Sequence, residues 1–289
     1  MNLPPRIVLI TGCSTGIGRS CAVFLGKMGF SVLAGVRSAA DAESIEQSKA
    51  ANVRPILIDV TQADSVANAA REATTFCGSA GLFGLVNNAG ISVHGPIEHV
   101  PLSEWRRQLE VNLFGQIAVT QALLPLLRAG VTVHGRGRPR IVMMSSIAGL
   151  IAQPIIAPYN ASKFALEAVS DALRLELWPQ GIKVCIVEPG AIDTPIWAKA
   201  EANPGAFPPD HPARVLYARE IDAIVNGARK AAANAIEADA VAKVVAKCLT
   251  LRRPRTRYRV GKDAMIGAIA KMVLPTGVLD WGMRWGLGI

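Results

Sequence analysis

The chain has 289 residues, of which 51% are apolar, 5% aromatic and 18% charged, and its formal net charge is +9. That apolar share fills a sizeable core and excludes a disordered segment; abundant Ala, Val, Ile and Leu beside few aromatics suit parallel strands covered by helices. The positive charge admits an acidic partner, but no zinc spacing, RNA-binding signature or aromatic–basic interleaving accompanies it, so nucleic-acid binding is not expected.

The first apolar run, RIVLI (6–10), leads into TGCSTGIG (11–18) and then into the helix-like RSCAVFLGKMGF. Gly12, Gly16 and Gly18, with Ser14, Thr15 and Ile17 among them, therefore lie at a strand-to-helix corner. Glycine admits positive φ and close ligand approach, and a helix start offers free N–H groups with positive dipole potential. A tight turn alone would use glycines too, but this context predicts a pyrophosphate cradle, spaced Gly-x-x-x-Gly-x-Gly rather than the commoner Gly-x-Gly-x-x-Gly. The second run, SVLAGV (31–36), ends at Val36, where a site preferring NAD would carry an acid for the ribose 2′-OH. Arg37 follows and can make charge-assisted hydrogen bonds to a 2′-phosphate, so NADP is the expected cofactor, with NAD the less favoured alternative.

Further apolar runs follow at VRPILIDV (53–60), LFGLVNN (82–88), RIVMMSS (140–146) and IKVCIVEP (182–189). They are nearly continuous rather than alternating, as strands buried on both faces are. Helix-length stretches, Asp64–Cys77, Ser103–Arg128 and Pro158–Trp178, separate them. The pattern predicts an α/β fold: one Rossmann domain over residues 1–289, with a doubly wound parallel sheet of about seven strands flanked by helices. LRRPRTRYRV (251–260) reads as an edge strand with a solvent face.

Residues 193–236, proline-rich and then Ala-rich, break the rhythm after the sixth strand and read as a substrate lid. Ile196, Trp197 and Phe207 there, with Ile151 and Ile155, point to an apolar pocket, although plain lid packing would use the same residues. The tail, 264–289, is apolar: Trp281, Met283, Trp285 and Leu287 beside Lys271 and Arg284 suit a membrane interface or, preferably, packing on another subunit or on the chain itself. No uninterrupted apolar run reaches the roughly eighteen residues of a spanning helix. Five scattered cysteines without CxxC, and no room for a signal peptide before the first strand, imply a reducing, cytoplasmic compartment, with membrane association as the alternative. His94, His99, His134 and His211 are isolated, so no metal is expected; His94, after NNAGIS, is a candidate for the pocket edge.

In YNASK (159–163), Tyr159 and Lys163 are four apart on an expected helix and share a face. A tyrosine titrating near 10 is a poor acid–base group at neutral pH, and a neighbouring ammonium plus a positive nicotinamide ring would lower that value. Ser146 closes the fifth strand, where its hydroxyl can meet a carbonyl or alcohol oxygen. The Tyr–Lys spacing alone is that of many ordinary helix pairs.

Taken together, TGCSTGIG, Asp59–Val60, NNAG (87–90), VNLFG with Asn112, Ser146, YNASK and PGAIDT (189–194) resemble the short-chain dehydrogenase/reductase family in order and spacing over most of residues 6–262. TGCSTGIG and AGVR look like its hydroxysteroid and retinol dehydrogenase branch. The resemblance implies hydride transfer between nicotinamide and an alcohol or ketone, with Tyr159 as general acid/base. Lys163 would lower its pKa and hold the nicotinamide ribose, Ser146 would polarise the reacting oxygen, and Asn112 would keep a water in a relay to Lys163. Asp59 and Val60 would meet the adenine, Asn88, Ala89 and Gly90 the adenosine side, and Pro189, Ile192 and Thr194 the nicotinamide. It also implies a homodimer or homotetramer. A bulky lipophilic alcohol or ketone is the first expectation for the substrate; a 3-oxoacyl thioester or a small ketone is the alternative. A non-catalytic dinucleotide sensor would lack Tyr159 or Lys163, and both are present.

Overall fold

Strand β1 (Ile7–Ile10) sends Ile7 and Leu9 to one face of the sheet and Val8 and Ile10 to the other, and all four are buried. This is why the strands read as continuous apolar runs: each face needs its own core. The structure is a computed structural model that describes residues 4–136, 138–195, 211–233 and 235–289.

In chain order β1 is followed by α1 (Gly16–Lys27), β2 (Ser31–Val36), α2 (Ala39–Gln47), β3 (Val53–Leu57), α3 (Ala63–Cys77) and β4 (Gly84–Asn87). Then come α4 (Leu102–Leu109), a wide π turn at Glu110–Phe114, α5 (Gly115–His134), β5 (Arg140–Met144), α6 (Ala157–Leu177) and β6 (Lys183–Pro189). The short strands β7 (Ile192–Asp193) and β8 (Ile236–Glu237) bracket α7 (Pro212–Leu216) and α8 (Ala218–Ala233). The last elements are α9 (Ala238–Thr250), β9 (Arg257–Val260), α10 (Lys262–Val273) and α11 (Thr276–Leu287).

Seven strands form one parallel sheet in the order β3-β2-β1-β4-β5-β6-β9, while β7 and β8 pair separately. Leu9 lies opposite Leu33 on one side and Leu85 on the other, which fixes the register at the centre. One face is covered by α1 and α9 through Cys21, Leu25, Val241 and Val245; the other by α3, α5 and α6 through Val66, Leu123, Leu127 and Leu166. The strand order reverses at β1 and β4, so a crevice opens at their carboxyl ends, where such sheets bind ligands.

Within the helix Leu102–His134 an 18-residue stretch has a mean hydropathy of 1.3, apolar enough by length and composition to cross a membrane, but Val119, Leu123 and Leu127 on this helix are buried in the second core. It extends beyond the expected Ser103–Arg128 at both ends. The third strand is shorter than VRPILIDV, because Asp59 already turns the chain by accepting from the Thr61 amide (3.0 Å) and hydroxyl (2.7 Å). β9 is the expected edge strand, but its arginines do not form a free solvent face. Arg257 pairs with Glu167 (3.0 Å), Asp171 (2.6 Å) and Glu188 (3.1 Å), and Arg259 pairs with Glu188 (3.2 Å). Basic charge there neutralises carboxylates of α6 and β6, among them the enclosed Glu188, whose titration burial pushes up. Of the expected lid residues, Ile196, Trp197 and Phe207 lie outside the described residues.

Candidate active site

The glycine corner is held shut by one side chain. Asn88 Nδ2 donates to the carbonyls of Thr11 (2.9 Å) and Gly12 (3.1 Å), while the Thr11 hydroxyl accepts from the amides of Asn88 and Ala89 (3.0 Å each). Gly12 takes a φ of +71° with the Ala89 backbone against it. At Gly18 a Cβ would collide with the Gly12 carbonyl and stand 2.6 Å from Asn88 Nδ2. The two glycines thus let α1 begin hard against the carboxyl end of β4. Helix α1 has no acidic residue in its first turn, so its positive end faces the crevice uncompensated.

That crevice is a cleft of about 440 Å³, in the size range of ligand sites. Gly12, Ser14, Thr15, Gly16, Ile17 and Arg37 line it, with Asp59, Val60, Asn88 and Gly90. Ser146, Tyr159, Lys163, Pro189, Ile192 and Thr194 line it as well, and a Cβ at Gly16 would meet the Thr194 side chain at 3.2 Å. Gly18, Ala89 and Asn112 do not line it. The first two form the cleft's supporting backbone. Asn112 stands in the π turn with its amide engaged: Oδ1 accepts from the Ile91 amide (2.8 Å), and Nδ2 donates to the Ile91 carbonyl (3.0 Å) and Ser162 Oγ (3.1 Å). Ser162 Oγ in turn donates to the Tyr159 carbonyl at 2.7 Å. The buried Asn112 thus braces the start of α6 through Ser162.

Ser146 Oγ accepts from the Ala148 amide (3.2 Å) and is 3.5 Å from the Pro189 carbonyl. Lys163 is buried, donates from Nζ to the Met144 carbonyl (2.7 Å) and stands 5.7 Å from the Tyr159 ring centroid. Desolvation lowers its pKa to about 8, with Glu167 acting in the opposite sense. Burial holds the Tyr159 phenol above its ordinary value, and hydrogen bonding with Ser146 opposes that rise. Without a bound nicotinamide, burial is therefore the larger influence on the phenol.

Several lining residues escaped sequence reasoning. Ser145 lines the cleft, while its Oγ is buried beside Gly149 without a hydrogen-bond partner among the described residues. Asp263, also lining it, accepts from the Ala191 amide (2.7 Å) and so fixes the turn after β6. Ile224, Gly227 and Leu287 come from α8 and α11, which meet where Arg219 Nη2 donates to the Gly288 carbonyl (3.1 Å). The apolar wall consists of Ile147, Ile156, Ile224 and Leu287, not the expected Ile151 and Ile155. Ile151 instead packs on α10, where a Cβ at Gly267 would meet its Cδ1 at 3.1 Å. None of the four histidines lines the cleft; His94 bonds Ser92 Oγ at 2.8 Å, and burial lowers its pKa to about 4. The residues fit a dinucleotide: glycine backbone that a Cβ would fill, an open helix start and a nearby arginine border one cleft.

A parallel sheet that gathers a glycine-rich strand-to-helix corner, a tyrosine and a lysine in one crevice is the architecture of a nicotinamide-dependent oxidoreductase. The chain belongs to the short-chain dehydrogenase family, whose model, described as short chain dehydrogenase, matches residues 6–205. It is 37% identical over 288 residues to retinol dehydrogenase 5 of Mus musculus, covering 96% of this chain and 87% of that protein. It is 35% identical over 276 residues to NADPH-dependent 3-dehydrocapnine reductase of Ornithobacterium rhinotracheale, covering 95% of each. A solved short-chain dehydrogenase from Streptomyces avermitilis superposes with a TM-score of 0.78 at 27% identity, covering 98% of this chain and 97% of that one.

Proposed function

We propose that the chain interconverts a lipophilic alcohol and ketone with NADP(H), using Tyr159 as general acid/base. The observation that carries this is the convergence of Ser146, Tyr159 and Lys163 on the same cleft as the glycine corner and Arg37. Bound nicotinamide supplies or accepts the hydride. Ser146 Oγ, at the end of β5, holds the reacting oxygen and polarises it. In the reducing direction the protonated Tyr159 hydroxyl, kept so by burial, gives its proton to that oxygen; in the oxidising direction the phenolate takes it back. Lys163, enclosed and tethered to the Met144 carbonyl, holds positive charge beside the phenol and favours the phenolate when the direction requires it. Asn112 acts by bracing Ile91 and, through Ser162, the Tyr159 backbone.

Arg37 in the cleft lining supports the phosphorylated cofactor, as does the NADPH in the name of the Ornithobacterium relative. The apolar wall and the retinol dehydrogenase relative support a lipophilic substrate. Five free, buried cysteines fit a reducing compartment. Exposed Leu102, Phe114 and Leu175 on α4, the π turn and α6 support self-association. The decisive experiment is Tyr159→Phe assayed with NADPH and a panel of steroids, retinoids, acyl thioesters and simple ketones. The expected result is loss of turnover with cofactor binding retained. Turnover that survives the substitution would overturn the assignment, and binding without turnover in the unaltered protein would favour a sensor.

A further inference from the structure

Helix α10 turns its small residues inward and its large ones outward. Ala264 and Ala268 are buried, and Gly267 packs on Ile147 and Ile151, whereas Met265, Ile266, Ile269, Met272 and Val273 are exposed, Met272 to 77%. At helical spacing those five share one arc of the surface. Helix α11 has no buried residue; Val278, Trp281 and Trp285 share an exposed face on it, Trp285 to 79%, while Leu287 reaches the cleft. A face this apolar is unusual on a monomer in water and marks an interaction site.

The charges beside this face select its occupant. Lys262, Lys271 and Arg284 are exposed and make no ion pair among the described residues. Of the two acids on these helices, Asp263 is held on the Ala191 amide, which leaves Asp280. A symmetric pairing of two copies through this face would bring the same cations together with little to neutralise them. An anionic surface complements them and the chain's net charge of +9, and tryptophan and lysine on amphipathic helices are the side chains that settle at a lipid boundary. We propose that the outward face of α10 and α11 docks on an anionic lipid bilayer, lying in its surface without crossing it. The wall formed by α8 and Leu287 then stands at the interface, so a lipophilic substrate passes from lipid to cleft without entering bulk water. The last step rests on the function proposed above; the docking does not.

The test is co-sedimentation of the full chain with vesicles of phosphatidylcholine alone or mixed with phosphatidylglycerol. The expected result is binding to the mixed vesicles, weaker binding to the neutral ones, and release by salt. Ile266→Glu with Ile269→Glu should abolish binding, and Lys262→Ser or Lys271→Ser, which disturb no packed residue, should each weaken it by about fivefold. Turnover of a water-soluble ketone with NADPH, measured without vesicles, should be unchanged in all of them. Protein that stays in the supernatant with both vesicle types overturns the proposal. So does a dimer in solution that Ile266→Glu splits while vesicles are ignored, which would assign the face to a second copy. Loss of turnover with docking intact would instead sink only the catalytic assignment.

Discussion

Lys163 spends its ammonium on the carbonyl of Met144, 2.7 Å away, in a place where burial pulls its pKa down from 10.5 to about 8. A cation with a lower pKa folded than unfolded is a cost of folding. The cost is fully present below pH 8 and fades as pH rises from 8 toward 10.5, where the unfolded chain still binds the proton and the folded one does not. Lys163→Met is therefore expected to abolish turnover yet raise stability at pH 7 by on the order of 1–3 kcal/mol, after allowance for the Met144 carbonyl left behind. Urea titrations of both proteins at pH 7 and pH 10.5 check this. A stability difference that is the same at both pH values would show that the ammonium carries no folding cost.

The Tyr159 phenol sits above its usual range because of burial, with Ser146 pulling the other way. Ketone reduction needs the acid form and should stay flat through neutral pH, falling only on the alkaline side. Alcohol oxidation needs the phenolate, so its kcat/KM should climb with pH over the same range. Ser146→Ala removes the opposing hydrogen bond, so the oxidative limb should move to higher pH and the rate should drop about 100-fold. A pH profile that Ser146→Ala leaves in place would separate Ser146 from the proton-transfer step.

Arg37 is exposed where the cleft opens beyond β2, and Val36 before it offers no carboxylate. Arg37→Ala should raise KM for NADPH by roughly 10- to 100-fold and leave KM for NADH within about twofold, since the lost interaction is a charged hydrogen bond to a phosphate that only one cofactor carries. Initial rates with each cofactor at fixed ketone decide it. Equal losses with both cofactors would assign Arg37 to the shape of the loop.

The crevice was legible from sequence because its chemistry is local. A strand, three glycines and a helix start are contiguous, and Tyr159 and Lys163 are one helical turn apart. What escaped was whatever the fold assembles from distant segments. Asp263 lies 72 residues from Ala191, whose amide it binds, and no spacing rule joins them. Leu287 reaches the cleft only because α11 folds back on α8. Arg257 read as a solvent-facing charge, since its partners Glu167 and Asp171 belong to a helix 86 to 90 residues earlier. Asn88 shows the intermediate case. Its place in NNAG marked it as a cofactor residue, but only the folded chain shows its amide stitching Thr11 and Gly12 together.

Among the described residues Arg140 is the largest side chain that the fold encloses completely, and nothing in its sequence neighbourhood marks it. Its guanidinium, at the start of β5, donates to the carbonyls of Cys248 (3.3 Å) and Leu251 (3.2 Å), at the carboxyl end of α9. Those carbonyls have no partner further along the helix, and a cation there also meets the negative end of the helix dipole. Substituting Arg140→Met keeps apolar bulk but strips the donors, leaving the buried Cys248 carbonyl unpaired. Unfolding free energy is expected to fall by about 2–4 kcal/mol, read as a lower urea midpoint at unchanged slope. Arg140→Lys should recover only part of the loss, because a single ammonium lacks the span to reach both carbonyls. Since α9 packs directly on α1 behind the glycine corner, the Met variant should also bind NADPH more weakly at temperatures where α9 begins to fray. A midpoint indistinguishable from that of the unaltered protein would mean that water replaces the guanidinium at the helix end.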